Sequence, residues 1–200
     1  MNRLLLALLL AIPAVQAAAH HPGERIDAVM AEREPAFEPI DVWRTPRLRG
    51  TATEGSSVRL DGLPDRIVVV SFTPEGCGAP CVAQQVLLRE VQEGVNITPM
   101  RDLVMFLSVG PGSDEGWDAA NWRAILAEGG ADQAAASFAA LSDRDAVAPM
   151  IHVIDRRGRH AAIFHGADFA RVNLILYINE LTNAPPQEPG LLDRIFVVGN

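Results

Sequence analysis

The sequence predicts an α/β fold in which a central mixed sheet is flanked by helices. Two apolar segments, the largely β-branched 66–72 and the segment 103–109, are typical of buried strands. Apolar residues at helical spacing lie between these segments and end at Val91, and two further strands follow at 151–154 and 160–164. Strands that alternate with helices form a sheet that is covered by helices.

The other predicted elements are weaker and surround this pattern. We expect helices at 117–127, 131–140 and 168–181, a short strand at 58–60, and one short helix within 20–49. The segment 20–49 is rich in charge and proline and is otherwise interpreted as a lead-in. We therefore expect a lead-in at 20–49, one domain at 50–184 and a proline-rich tail at 185–200.

The amino-acid composition excludes several classes of function. The chain has 200 residues, is 48% hydrophobic and carries a formal net charge of −8. Its 17 basic residues are all arginines, so the lysine of Schiff-base enzymes or of a phosphate-binding loop is absent. An acidic chain also repels the phosphate backbone, so we expect no nucleic-acid partner.

The N-terminus is typical of an export signal. Arg3 precedes an apolar run at 4–12, and Pro13 and three alanines at 17–19 follow it. The run is shorter than the roughly 20 residues of a membrane-spanning helix, so we interpret 1–19 as a signal peptide and expect a periplasmic or secreted protein. Association with a membrane would require that this segment stays uncleaved.

The two cysteines are the strongest candidates for chemistry. Cys77 and Cys81 follow the strand at 66–72 and are four residues apart, so on a helix they share one face at a distance that a disulfide can bridge. A thiol at a helix N-terminus is stabilised as a thiolate, which is both a nucleophile and a ligand for soft metals such as Cu(I). The spacing leaves three alternatives open: redox exchange, metal binding and a structural disulfide.

Pro149 is a second feature of interest. It precedes Met150 and the strand at 151–154, and its sequence context is similar to that in which redox-active thioredoxin-like folds place a cis-proline beside the cysteines. An ordinary trans-proline at the start of a strand fits equally well.

Several motifs in the same order make the chain similar to the SCO/SenC family of copper-handling proteins associated with cytochrome oxidase assembly. The resemblance covers about 24–183 and includes the Cys-x-x-x-Cys of Cys77 and Cys81. Its other matches are Ala31-Glu32-Arg33-Glu34-Pro35-Ala36-Phe37, Val95-Asn96-Ile97-Thr98-Pro99-Met100, Ile151-His152-Val153-Ile154-Asp155 with Gly158, Phe164-His165-Gly166 and Asn173-Leu174-Ile175-Leu176-Tyr177. The resemblance implies a thioredoxin-like fold and copper bound by Cys77 and Cys81.

The chain departs from the family pattern at two positions. The family usually places a third copper ligand, a histidine, eleven residues before the glycine that Gly158 matches, and this chain has Val147 there. An Asp-Pro pair of the family is Gly110-Pro111 here. Candidate replacement ligands are His152, His165, Met100 and Met150, and cleavage after Ala17 would expose an Ala18-Ala19-His20 terminus suited to Cu(II).

Two hypotheses follow. The first is an exported protein that delivers copper, or exchanges thiols and disulfides, for a respiratory oxidase subunit with a cysteine or copper site. In it Cys77 is the attacking thiolate and Cys81 resolves the mixed disulfide. The second is a non-catalytic binding module with a structural Cys77–Cys81 disulfide and no metal.

Overall fold

The computed structural model of the chain describes residues 22–43, 45–111, 115–145 and 149–184. The described part contains four α-helices and eight strands. The helices are α1 Pro22–Arg33, α2 Ala79–Asn96, α3 Ala131–Ala139 and α4 Arg171–Asn183. The strands are β1 Phe37–Val42, β2 Arg49–Ala52, β3 Ser57–Arg59, β4 Ile67–Phe72, β5 Val104–Val109, β6 Trp122–Ala127, β7 Met150–Ile154 and β8 His160–His165.

All eight strands join one mixed sheet in the order β1-β8-β7-β4-β5-β6-β2-β3. The strands β4, β5 and β6 are parallel, whereas β7 runs antiparallel to β4 and β8 antiparallel to β7. A β4-α2-β5 unit followed by the β7-β8 hairpin and α4 is the core of a thioredoxin-like fold. The fold predicted from the sequence is therefore confirmed.

The central strands are buried along their whole length. All six residues of β4 and all six of β5 are buried, as continuous apolar runs in parallel strands require. Alternate side chains of these strands point to opposite faces of the sheet. Two large cores result, one on each face, and Ile40, Met150 and Ile163 form a third, small cluster.

We call the first face the α2 face, since α2 packs there together with α1 and α4. Its core includes Val69, Phe106, Leu88 and Tyr177. The opposite face, which we call the α3 face, is covered by Phe138 of α3 over Val68, Val70 and Phe72. The cysteine of α2 and the buried side chains under α3 are thus separated by the sheet.

One predicted element is wrong. The expected helix at 117–127 is instead the strand β6, which pairs in parallel with β5 and antiparallel with β2. Six residues are too short an apolar run to distinguish a helix from a strand by periodicity. The backbone N–H and C=O groups on the free side of β5 need partners, and this favours a strand. Trp122 is then buried on the α2 face.

The sequence analysis does not predict two of the strands, β1 and β2. The strand β1 contains Pro39, which cannot donate a backbone hydrogen bond, but β1 is at the edge of the sheet, where proline is tolerated. The strand β2 contains Gly50, which approaches the backbone of Leu126 so closely that a Cβ would lie 2.4 Å from its carbonyl oxygen. The predicted helices α1, α2, α3 and α4 are all present.

Several expectations concern residues outside the described ranges. These are the signal peptide at 1–19, His20, Val147 and the tail at 185–200. They stay predictions, as do the domain boundaries. Among the described residues, no helix combines the length and apolarity needed to cross a membrane.

Candidate thiol–disulfide site

The cysteines lie where the chain leaves β4 and enters α2. Cys77 is in the turn that connects the two elements, and its N–H donates to the carbonyl of Pro74 at 3.2 Å. Gly78 caps α2 with a φ of 61°, a left-handed conformation that favours glycine. Pro80 follows in the first turn of α2, where a backbone N–H has no partner in the helix anyway.

The two cysteines form a disulfide. Their Cα atoms are 5.8 Å apart, within the usual range for this bond. Cys81 is inside α2 and only 4% exposed, whereas Cys77 is half-buried in the turn. An incoming thiolate can therefore reach the sulfur of Cys77 more readily than that of Cys81.

The electrostatic surroundings of the two sulfurs also differ. The Cys81 Sγ lies 3.5 Å from the carbonyl oxygen of Phe72. The disulfide has no proton to donate, but a reduced Cys81 thiol finds an acceptor there, and the partial negative charge of the oxygen opposes a thiolate. Cys77 instead precedes the helix N-terminus, where unpaired N–H groups favour the thiolate.

A buried hydrogen-bond network fixes the first turns of α2 to the sheet. Gln85 donates to the Ser71 hydroxyl at 3.0 Å and accepts from the Ser108 hydroxyl at 2.9 Å. The indole N–H of Trp122 donates to Ser108 at 3.0 Å. The network thus joins α2 to β4, β5 and β6, and no local pattern in the sequence predicts it.

Pro149 lies beside the cysteine turn. Ser71 is opposite Ile151 in the antiparallel pair of β4 and β7, so the same register places Pro149 beside Thr73. The Pro149 carbonyl accepts from Gly166 N at 2.7 Å, and the Gly166 carbonyl accepts from the Gln84 side chain of α2 at 2.8 Å. These contacts agree with the expected position of Pro149 beside the cysteine loop. The cis or trans form of the peptide bond before Pro149 is not tested by them.

Gly110 ends β5 next to the same turn. Its φ is +121°, and a Cβ there would lie 2.5 Å from the carbonyl oxygen of Thr73. No side chain fits without moving the backbone that leads to Cys77. The Asp-Pro pair of the SCO/SenC pattern therefore has no room in this conformation.

The four candidate replacement copper ligands do not gather around the cysteines. Met100 follows the C-terminal end of α2, about 25 Å of helix away from its first turn. His152 stacks edge-on to Phe72 and Phe138 and so lies on the α3 face, and Met150 packs against Ile40 and Ile163.

His165, the fourth candidate, is engaged elsewhere. Its Nε2 lies 2.6 Å from Glu38 Oε2. In the described part of the chain, no group of three or more histidine, cysteine, aspartate or glutamate side chains is arranged to hold a metal. The three-ligand copper site that the resemblance implies does not fit these residues.

A second cluster of titratable groups is buried under α3. His152 Nδ1 and His160 Nε2 are 3.2 Å apart, and the two residues are about 1% and 0% exposed. Burial lowers the pKa of His152 well below its usual value, and the neighbouring His160 lowers it further. Burial, together with the charge of Arg159, lowers the pKa of His160 to about 4, although Glu38 opposes this effect.

Comparison with known proteins gives a match of structure but not of sequence. No family model matches the chain, and no curated protein matches it. Several solved structures do match it. A SCO1/SenC family lipoprotein from Bacillus anthracis is 13% identical with a TM-score of 0.55, and the alignment covers 73% of this chain and 98% of that one.

Two other solved structures extend this result. BsSco, a member of the Sco family of cytochrome c oxidase assembly proteins with a disulfide switch, is 12% identical with a TM-score of 0.56 over 72% of this chain and 96% of that one. A secreted thiol-disulfide isomerase from Corynebacterium glutamicum is 19% identical with a TM-score of 0.53 over 73% and 92%. The chain has the thioredoxin-like fold, and SCO/SenC proteins are among its structural neighbours.

Proposed function

We propose that this chain is an exported thiol–disulfide exchange protein whose Cys77–Cys81 pair cycles between disulfide and dithiol. The observation that carries the proposal is the asymmetry of the pair. Cys77 is accessible at the N-terminus of α2, whereas Cys81 is buried against the carbonyl oxygen of Phe72. Exchange proteins need one reactive sulfur and one protected sulfur of this kind.

The exchange proceeds in two balanced steps. In the reductive direction, the Cys77 thiolate attacks one sulfur of a partner disulfide, forms a mixed disulfide and releases the other partner sulfur as a thiolate. Cys81 gives its proton, through water, to the partner thiolate released first and attacks the Cys77 sulfur, which re-forms Cys77–Cys81 and releases the second partner thiolate. The partner disulfide gains two electrons and the two cysteines lose them.

The partner in this proposal is a respiratory oxidase subunit with a cysteine pair. Support comes from BsSco, a structural neighbour that has a disulfide switch and belongs to a family of cytochrome c oxidase assembly proteins. Export is supported by the signal-like sequence at 1–19 and by structural neighbours that are a lipoprotein and a secreted isomerase. The compartment is then periplasmic or extracellular, where disulfides persist.

Copper delivery by the same two cysteines is the other activity that the first hypothesis contains. Two thiolates on one helical turn suit Cu(I), but the described residues offer no group of three ligands around them. Thiol exchange needs only the two cysteines and is therefore the function we propose first. Titration of the reduced protein with Cu(I) against a chelator, with the Cys77→Ser and Cys81→Ser variants as controls, separates the two forms.

A purely structural disulfide is the competing interpretation. A disulfide stabilises mainly by closing a loop, and the gain falls as the loop becomes shorter. The loop between Cys77 and Cys81 is very short, and helix α2 is already attached to the sheet by the Gln85 network. The disulfide is therefore not needed to hold α2 in place.

The test compares the two single-cysteine variants. We expect the Cys81→Ser variant, which keeps Cys77, to react with an aromatic disulfide such as DTNB at least about tenfold faster at pH 7 than the Cys77→Ser variant, which keeps Cys81. The matched pair controls for fold and for thiol number. Equal rates, or a faster Cys81, would contradict the proposed roles.

A further inference from the structure

A cleft among the described residues lies at the end of β4 opposite to the cysteines. It has a volume of about 850 Å³. Arg66, just before β4, and Gly158, after β7, line it, whereas the cysteine turn follows the other end of β4. The six residues of β4 separate the two places by about 20 Å.

The cleft has an apolar floor on the α3 face. Leu48, Val68 and Ile154 form it and belong to the same core as Phe138. Trp43 and Pro64 line the cleft as well. A ligand with an apolar body can therefore bury surface here, and the volume is in the range of sites for small molecules.

The walls carry an excess of positive charge although the whole chain is acidic. Five of the 17 arginines line the cleft. These are Arg47, Arg49, Arg66, Arg156 and Arg157. In the described part of the chain, Arg47 and Arg66 make no ion pair with any acidic residue.

Three aspartates also line the cleft, but two of them are neutralised by arginines that do not line it. Asp61 is paired with Arg59 at 2.7 Å, and Asp155 is paired with the buried Arg159 at 2.8 Å. The third, Asp65, is largely exposed and lies 3.7 Å from the Arg156 guanidinium. Arg47 and Arg66 thus supply positive charge that no carboxylate of the described residues neutralises.

Arg156 also contributes a guanidinium group to the wall of the cleft. Its Nε is buried and has no hydrogen-bond partner among the described residues. A buried unsatisfied donor is unfavourable, since it loses its bonds to water and gains none in exchange. An acceptor oxygen in the cleft reaches this Nε only after the Arg156 side chain moves, because the atom is closed to solvent.

We propose that this arginine cleft binds a small organic anion, a carboxylate or phosphate monoester attached to an apolar body. The guanidinium groups of Arg66 and Arg156 pair with the anionic oxygens, since arginine recognises carboxylate and phosphate in a bidentate manner. The apolar body lies on Leu48, Val68 and Ile154. The site is separate from the cysteines and goes beyond the proposed exchange function.

The experiment is calorimetric titration of the oxidised full chain with 1-naphthyl phosphate, and with 1-naphthol as the matched neutral compound. We expect saturable binding of one phosphate ester per chain and at least about tenfold weaker binding of the naphthol. Equal affinity of the two compounds, or no saturable heat with the ester, would overturn the proposal.

Arginine variants locate the site. We expect Arg66→Gln and Arg156→Gln each to weaken binding of 1-naphthyl phosphate by about tenfold or more, and Arg171→Gln, an exposed arginine of α4 paired with Glu90, to leave it unchanged. If Arg156→Gln fails to fold, Arg47→Gln replaces it. An affinity that stays unchanged in Arg66→Gln and in these variants would place binding elsewhere and overturn the proposal.

The test is independent of the thiol chemistry. A Cys77→Ser, Cys81→Ser double variant should bind 1-naphthyl phosphate with unchanged affinity. A loss of binding in that variant would contradict a separate site.

Discussion

Two clusters on opposite faces of the sheet consist of polar groups of different kinds. On the α2 face, Gln85, Ser71, Ser108 and Trp122 donate and accept among themselves through amide, hydroxyl and indole groups. These groups do not titrate at ordinary pH. On the α3 face a buried cluster contains the imidazoles of His152 and His160, which do titrate, near the buried carboxylate of Glu38.

This difference separates pH sensitivity from thiol chemistry. The scaffold of the cysteine turn is held by a network that is the same at pH 5 and pH 7. The α3 face is most stable while its two histidines are neutral. We therefore expect acid to destabilise the protein through α3 and its neighbours rather than through the cysteine turn.

The largest loss of stability is expected for a substitution at Gly110, which follows β5. A Cβ on Gly110 would contact the carbonyl of Thr73 and the Cβ of Ala131, the first residue of α3. We expect Gly110→Ala to lower the free energy of unfolding by more than about 3 kcal/mol, since a backbone clash adds to the strain of a positive φ.

Gly55→Ala is the matched control for this substitution. Gly55 has a φ of +90°, but a Cβ added there would have nothing within 4 Å, so only the strain of about 1–2 kcal/mol remains. Urea unfolding of both variants measures the difference. Equal losses would show that the turn after β5 adapts and that Gly110 is not a fixed point.

The next effect tests the α2 face. Ser108→Ala removes the acceptor of the buried Trp122 indole and the donor to the half-buried Gln85, so both groups lose a partner. We expect a loss of about 2–3 kcal/mol that is equal at pH 5 and pH 7. Ser137→Ala on α3, whose hydroxyl is exposed and bonds to the Gln133 carbonyl, is the control and should change little.

A loss in Ser108→Ala that grows at pH 5 would contradict the pH independence of the α2 face. Urea unfolding at the two pH values, with Ser137→Ala in parallel, provides this result. A loss no larger than that of Ser137→Ala would mean that water replaces the hydroxyl.

The third effect tests the α3 face. The pKa of His160 is about 4 in the folded protein and about 6.5 in the unfolded chain. The unfolded state therefore binds more protons between these values, and stability falls as the pH falls from about 6.5 to about 4. For His160 alone the loss between pH 7 and pH 5 is about 2 kcal/mol, and His152 adds to it in the same direction.

His160→Gln removes one titrating group from this pair. We expect the fall in the free energy of unfolding between pH 7 and pH 5 to shrink by about 2 kcal/mol in the variant, whatever its stability at pH 7. Urea unfolding at both pH values measures this slope. An unchanged slope would assign the acid sensitivity to other groups.

The centre of the fold is more predictable from the sequence than its margins. The strands β4, β5, β7 and β8 and the helix α2 follow from runs of apolar residues whose length and period are decisive, whereas the patterns that predict α1, α3 and α4 are weaker. The segment that forms β6 is short and ambiguous, and only the neighbouring ladders of β5 and β2 determine its state. Pro39 argues locally against β1, and the edge position that permits it is not visible from local sequence.

The candidate site is also predictable from the sequence only in part. The spacing of Cys77 and Cys81 and the preceding strand predict a disulfide at the start of a helix. The contacts that distinguish the two sulfurs, above all the Phe72 carbonyl beside Cys81, depend on how α2 packs on β4. The His152–His160 pair and the arginine cleft join residues from different strands and turns, so no local pattern predicts them.

The central claim is that the Cys77–Cys81 pair is exchangeable, and its reduction potential tests this claim most directly. We would equilibrate the protein with glutathione or dithiothreitol buffers and follow the redox state by thiol alkylation. Exchange proteins lie between about −120 and −270 mV, and structural disulfides of secreted proteins lie below about −300 mV. A potential above about −270 mV is the expected result. One below about −300 mV would contradict the account and support a structural disulfide.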